Sequence, residues 1–489
     1  MLIQVLANLA CRSKVQMRLY GPRPERFSRS GLGYKVRLFG RRNFIKVLLA
    51  SLVSFAFETK IGAKSPYVKE RASPSTATIF RSVNGNPSEN MVKVIDLMGG
   101  IGAIIGENDL VVVKPNVQWW NQGVPNLSAV RTFVDLIMNR PAGYRGEVVL
   151  AENCHRGPTP YNSKSSGWIR AYDRNADSPE ITNYNSLCNV LKTKYEDRFS
   201  VCHWVDVDAG GKKIFGPADG AGYIYCDGTG ETQLIPYDNG TAGKGFRQTI
   251  MTYPVFRTDR GTLVDFKEGI WTQGKYEKQR LKIINFAALN HHSAYCGVTS
   301  AIENYLGVVD LSGGADPYDD GKLAGGYYNF HSFPFDKWGP GPKPGMLGAA
   351  VAVFMNTIRR ADLNIVTADW VGLASRTEPP VARTQVLLAC TDPVALDYHS
   401  SKYVLHPNSS IKYHDPDDSQ SPTHQYLKEC SKRGGGILDE RKVDVKSYDF
   451  RTGRFQDDDE LFVIGAKEWG LNPKSLIKYL LYRFGHFLI

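Results

Sequence analysis

Several aliphatic runs in this chain end in polar clusters. Val111-Val112-Val113 runs into Lys114-Pro115-Asn116, Val148-Val149-Leu150 into Glu152-Asn153, and Ile283-Ile284-Asn285-Phe286 towards Asn290-His291-His292. Two shorter ones follow: Ile365-Val366 leads to Asp369, and Val386-Leu387-Leu388 leads through Thr391 to Asp392. Parallel sheets build ligand crevices at the carboxyl ends of their strands, so these clusters are the candidate site. Lys114 can receive a carboxylate or phosphate as a compact cation, and Asn116 can donate from its amide without adding charge. Glu152 and Asp369 join them as ligand-binding candidates. Adjacent His291 and His292 alternate sides on an extended backbone, which forbids a joint metal chelate there; His292 is the one read as acid, base or ligand. Downstream, Thr299 and Glu303 share a helix face at i, i+4, making Glu303 the second catalytic candidate, with Thr299 and Asn304 beside it. Plainer roles compete: Lys114 paired to an acid, Glu303 solvated on its helix, and Asp392 as a helix cap.

Hydrophobic periodicity supplies the elements that would position these groups. Residues 91–105 and 127–138 have helical spacing, whereas 110–113 and 147–151 are continuous aliphatic strands, giving the strand-helix-strand unit of a parallel sheet. The same alternation resumes with strands at 281–288, 363–368 and 385–390 and helices at 298–306, 347–359 and 393–404. The fold class expected is α/β, a mainly parallel, Rossmann-like sheet flanked by helices. Residues 91–154 and 281–410 are its two parts, separated at 155–280 by an insertion rich in hairpins and loops. A Gly- and Pro-rich loop at 312–343 has the length of a lid. Residues 64–90 read as a linker. Residues 411–489 read as an extension whose amphipathic helix, carrying Leu476, Leu480, Leu481 and Phe484, packs on the body.

Ahead of this body, Arg41-Arg42-Asn43-Phe44-Ile45-Lys46 precedes an apolar run, residues 47–57, too short to span a bilayer. The pattern resembles a twin-arginine export signal, with a loose cleavage site at Ile61-Gly62-Ala63, so residues 1–63 are expected to be a signal and basic leader. That implies a translocase partner during export, folding before export, and a periplasmic or other extracytoplasmic destination. The charge distribution agrees with an address rather than a polyanion-binding surface. The whole chain is formally +11, yet residues 1–64 hold 13 Lys and Arg against Glu25 and Glu58, leaving 47 basic and 47 acidic residues downstream. A nucleic-acid partner is thereby excluded as an expectation. No apolar stretch after the signal is long enough for an integral membrane segment. The cysteines after the leader are scattered without C-x-x-C spacing, so no iron-sulfur motif exists; buried free thiols are expected, and a metal cofactor stays open.

Three blocks, Gly99-Gly100-Ile101 through Lys114-Pro115-Asn116, His291 to Gly307, and Thr391-Asp392-Pro393-Val394-Ala395-Leu396-Asp397, occur in an order that resembles the domain of unknown function 362 family. The resemblance implies an α/β domain whose activity is not established. It departs from this chain in two ways: many relatives carry a ferredoxin-like iron-sulfur module, and the family commonly has Lys-Asn where this chain has Glu303-Asn304. The His-rich turn before a Gly-containing helix also looks distantly like the nickel-pincer lactate racemase family, which would imply a 2-hydroxy-acid racemase, but the equivalent helix Lys is absent. Taken together, the expectation is an exported enzyme acting on a small polar or anionic ligand. A non-catalytic cell-envelope binding protein is the alternative, and a racemase-like enzyme a weaker one.

Overall fold

The structure, a computed structural model, describes residues 75–153, 166–204, 213–229, 236–238, 248–293, 295–311, 344–455, 461–470 and 472–484. The twin-arginine segment and the loop 312–343 lie outside the described residues. Asn86 opens the first helix, α1 (Pro87–Leu97), with a reciprocal capping box to Glu89. Asn126 caps α2 (Leu127–Met138) and Asn183 caps α3 (Tyr184–Tyr195). These three helices bury their apolar stripes in one core.

That core lies on one face of a ten-stranded sheet. Its strands are β1 (Ala77–Val83), β2 (Leu110–Pro115), β3 (Glu147–Glu152), β4 (Phe199–His203), β5 (Leu281–Ala288), β6 (Leu363–Gly372), β7 (Val381–Cys390), β8 (Val443–Asp449), β9 (Arg454–Phe455) and β10 (Ala466–Glu468). The order is β9-β8-β1-β7-β6-β5-β2-β3-β4, with β10 on β7. β4, β3, β2, β5 and β6 run parallel; β7 is antiparallel to both β6 and β1, so the sheet is mixed rather than mainly parallel. β2 and β3 are buried along their whole length, as strands covered on both faces must be, which is why they read as aliphatic runs. The other face carries the short α4 (Ala301–Asn304), α5 (Pro344–Thr357), α6 (Pro393–Ser400), α7 (Pro422–Lys432) and a second sheet. The last helix is α8 (Pro473–Phe484). No described helix is long and apolar enough to cross a membrane.

Several boundaries differ from the sequence expectation. The segment read as a linker, 64–90, contains β1 and the start of α1; β1 was disguised by Arg81, which is fully buried, donates to Leu461 O at 2.7 Å and lies beside His399. The expected insertion, 155–280, contributes α3 and β4 to the main fold, and only from Lys213 does it form a separate six-stranded sheet. β4 escaped notice because it is a short edge strand of mixed polarity. Nor is 411–489 a mere extension, because β8 pairs along all of β1 and α7 packs on α5. The helix expected from 298 begins only at Ala301, after Val298–Thr299 pair with Asn290–His291. The stripe Leu476, Leu480, Leu481 and Phe484 is exposed, and α8 docks instead through Tyr479 and Tyr482. Periodicity identifies two faces without saying which is buried, and here tyrosine hydroxyls and rings decide it. Asp392 caps α6 as expected, receiving Val394 N and Ala395 N at 2.9 Å.

Asp397, completely buried in α6, holds the start of α4 by accepting Ala301 N at 2.8 Å and Ile302 N at 2.9 Å. Asp397→Asn replaces one acceptor by a donor facing an N–H. Unfolding in urea should show a loss of about 2 kcal/mol; an unchanged midpoint would mean that α4 does not depend on this contact.

Candidate functional site

β2, β3 and β4 run outward in chain order on one side, and β5 and β6 on the other, so the order reverses between β2 and β5. A crevice opens at such a reversal, beyond the strand carboxyl ends. Lys114 stands there on β2. Its ammonium contacts Glu152 Oε2 at 2.8 Å, with the two side chains 3% and 5% exposed. It also donates to Pro115 O at 3.1 Å and to Asn304 Oδ1. Two of its N–H groups are used in these hydrogen bonds, while Glu152 Oε2 is paired to it by charge and has no hydrogen-bond partner. Asn304 is fixed in turn, its amide donating to Asn285 Oδ1 at 2.7 Å and Lys114 O at 3.1 Å. Gly307 passes over the ion pair, where a Cβ would stand 2.6 Å from Lys114 Nζ and 3.0 Å from Glu152 Oε1. Burial raises the Glu152 carboxyl to about 7, against the opposing pull of Lys114, and the charge of Glu303 pushes it further up.

Glu303 faces the same cavity from α4, and behind it His292 Nε2 lies 3.5 Å from Glu303 Oε1. His292 Nδ1 is 2.8 Å from Ser293 Oγ. The cavity of about 40 Å³ is lined by Lys114, Glu152, Asn153, Thr299, Glu303 and Arg376, among others. Thr299 Oγ1 and Asn153 Oδ1 are buried there without a hydrogen-bond partner. Such orphaned atoms are costly unless a ligand or water meets them. Arg376 lies over the Trp119 ring at 4.7 Å, closing the rim with a cation and an aromatic face.

No protein family, curated protein or solved structure matches the chain. The functional argument therefore rests on this geometry.

Of the residues expected from sequence, Lys114, Glu152, Thr299, Glu303 and Asn304 meet around one cavity, with His292 behind Glu303. Asn116 borders it, but its amide is committed to backbone: it accepts Ala288 N at 2.9 Å and donates to Gly123 O at 3.1 Å. These bonds tie β2 to β5 and leave one amide N–H beside the cavity that Asn116 lines. Asp369 is not among the lining residues. It sits at a bulge between Ala368 and Trp370, and burial raises it to about 6 with Arg383 as the opposing charge. His291 turns away from His292, as neighbours in extended chain must. Its Nδ1 meets His414 Nε2 at 2.9 Å, and burial holds His291 well below its usual value and His414 down at about 3, so both are neutral. Among the described residues no group of three or more His, Cys, Asp or Glu side chains could hold a metal ion. The six described cysteines are buried free thiols.

Sequence reasoning missed Arg376, Trp119 and Asn285. The first two lie in loops with no periodicity to place them. Asn285 did carry a signal, a polar residue inside an aliphatic strand, and it receives Asn304 and donates to Asn364 Oδ1 at 2.9 Å.

Lys114→Met leaves Glu152 buried without its cation. Its carboxyl should then rise above 7 by about 1–3 units, read from the side-chain carboxyl resonance in a carbon-13 titration; an unmoved resonance would show that the pair is not electrostatically coupled.

Proposed function

We propose that the chain is an exported α/β enzyme with a Rossmann-like core that moves protons on a small polar or anionic ligand bound beyond β2, β3 and β5. The observation that carries this reading is the convergence, at the reversal of strand order, of a proton-tuned Glu152, its Lys114 partner and a second acid, Glu303, backed by His292. The parallel order β4-β3-β2-β5-β6 supports the Rossmann-like description. Two of the three blocks resembling the domain of unknown function 362 family border the cavity, which supports a shared site. The twin-arginine pattern and the confinement of the basic excess to the leader support export.

The chemistry follows from the donors and acceptors. While Glu152 is ionised it supplies the counter-charge of Lys114. When Glu152 takes up a proton, the ammonium loses its counter-charge and an incoming carboxylate or phosphate restores it. Asn153 Oδ1 accepts a ligand N–H or O–H, and Thr299 Oγ1 serves as donor or acceptor. Glu303 then exchanges a proton with the ligand, and His292 at 3.5 Å stabilises its charge when protonated. Anion binding should accordingly be stronger below pH 7 and weaken as the pH rises through the value of about 7 to which Glu152 is raised.

A thermal-shift survey of two- to six-carbon hydroxycarboxylates at pH 6 and pH 8 tests the reading. At least one should stabilise the protein, more at pH 6, and lose its effect with Lys114→Met; Glu303→Gln should abolish turnover of that compound while preserving binding. Binding without any turnover in the unaltered protein would instead establish the envelope binding protein, and no stabilisation by any compound would reject the anionic ligand. For export, Arg41→Lys with Arg42→Lys in the full chain should retain the protein in the cytosol of a bacterial host. Undiminished export of that variant would remove the twin-arginine route.

A further inference from the structure

α8 is attached by one side only. Tyr479 is its buried residue, donating to Ser409 O at 3.1 Å and packing on Trp469 with ring centroids 5.5 Å apart. Tyr482 stacks beside it on His291 at 4.9 Å and Tyr413 at 5.9 Å. The remaining large apolar side chains face solvent: Leu476 is 36% exposed, Ile477 55%, Leu480 42%, Leu481 53% and Phe484 66%. At about 100° per residue these five span an arc of about 140° opposite the tyrosines. Lys474 falls at one border of that arc and Arg483 at the other, while Lys478 lies further round over the Tyr482 ring. Long cationic side chains at both borders can lay their stems on apolar surface and reach outward with their charges.

We infer that α8 is a membrane-surface anchor that lies flat on an anionic lipid leaflet. The charge pattern selects this occupant over a second copy of the chain. From Ala466 to Phe484 there are four bases, Lys467, Lys474, Lys478 and Arg483, and one acid, Glu468, which is paired to Arg174 at 2.5 Å. Two such faces brought together would oppose cation to cation, and Lys467 and Arg483 already repel within one copy. Anionic headgroups meet the same cations while the acyl region receives the apolar arc, the arrangement of an interfacial helix. Trp469, 43% exposed and in contact with Tyr479, adds an aromatic ring beside the helix. α8 contributes no residue to the lining of the cavity, and of its cations only Lys478 lies near the rim residue Arg376.

Co-sedimentation of the full chain with vesicles tests it, using phosphatidylcholine alone or in equimolar mixture with phosphatidylglycerol. Binding to the anionic vesicles should be at least about tenfold tighter and should weaken with salt. Leu480→Asp with Leu481→Asp should abolish the difference while leaving the thermal midpoint unchanged, since both side chains are exposed in the folded protein. Lys474→Glu, at the exposed border of the arc, should also weaken it. Undiminished binding by the Leu480→Asp, Leu481→Asp variant would assign attachment to another segment and overturn the inference. Absence of binding to anionic vesicles would do the same, as would light scattering that shows a dimer which this variant dissolves without any vesicle binding.

Discussion

A lysine ammonium buried among aliphatic strands is tolerable only if every one of its hydrogens has a partner, and this requirement organises the centre of the molecule. An unmatched buried charge costs several kcal/mol. Lys114 avoids that cost through Glu152, Pro115 O and Asn304, but Asn304 then needs support of its own. It comes from a row of amides in register across the sheet. Lys114 is opposite Asn285 on β5, Asn285 opposite Asn364 on β6, and Asn364 opposite Cys390 on β7. Asn364 closes the row by donating to Cys390 O at 3.2 Å. All of these side chains point to the face covered by α4, so the row reaches from an antiparallel strand to the crevice beside Lys114 as one hydrogen-bonded network.

This explains why so short a helix as α4 can position a functional group. Four residues cannot sustain a helix by propensity. Its amino end is held by Asp397 from α6, its carboxyl end by Asn304 inserted into the amide row, and Ala301 O accepts Asn285 Nδ2 at 2.8 Å. Glu303 sits between these fixed points and lines the cavity, with His292 Nε2 3.5 Å from its Oε1. The second sheet completes the enclosure. Tyr223 accepts Asn153 Nδ2 at 2.9 Å and donates to Val308 O at 3.2 Å, joining the end of β3 to the segment after α4.

Much of this was legible before any coordinates. α2 and β5 coincide with the spans that periodicity gave, and the strand-end residues Lys114 and Glu152 and the helix carboxylate Glu303 surround one cavity. What failed did so for identifiable reasons. Arg81 interrupted a strand whose interior position only its tertiary partners, Leu461 O and His399, make possible. Asp369 follows an aliphatic run like the others, but β6 bulges at that point and its pairing reverses to an antiparallel neighbour, so its carboxyl end belongs to a different environment. Asn116 looked chemically identical to a free amide; only the positions of Ala288 N and Gly123 O reveal that each end of it already holds backbone. A single residue step separates two uses of the same side chain in His291 and His292, one sealed against His414 and the other behind Glu303.

The size of the cavity narrows what this machinery can recognise. About 40 Å³ admits about three water-sized centres, enough for one functional group and too little to enclose a whole metabolite or a dinucleotide. Selectivity must therefore come from how one group is met rather than from shape around an entire ligand. A group that carries negative charge competes with Glu152 for Lys114, and because Glu152 is poised near neutrality the competition is resolved by one proton rather than by moving the backbone. Gly307 is required by this packing: a Cβ there would stand 2.6 Å from Lys114 Nζ, so only glycine lets the chain pass this close over the pair. Arg376 and Trp119 stand at the rim, where they present a cation and an aromatic face outside the enclosed volume.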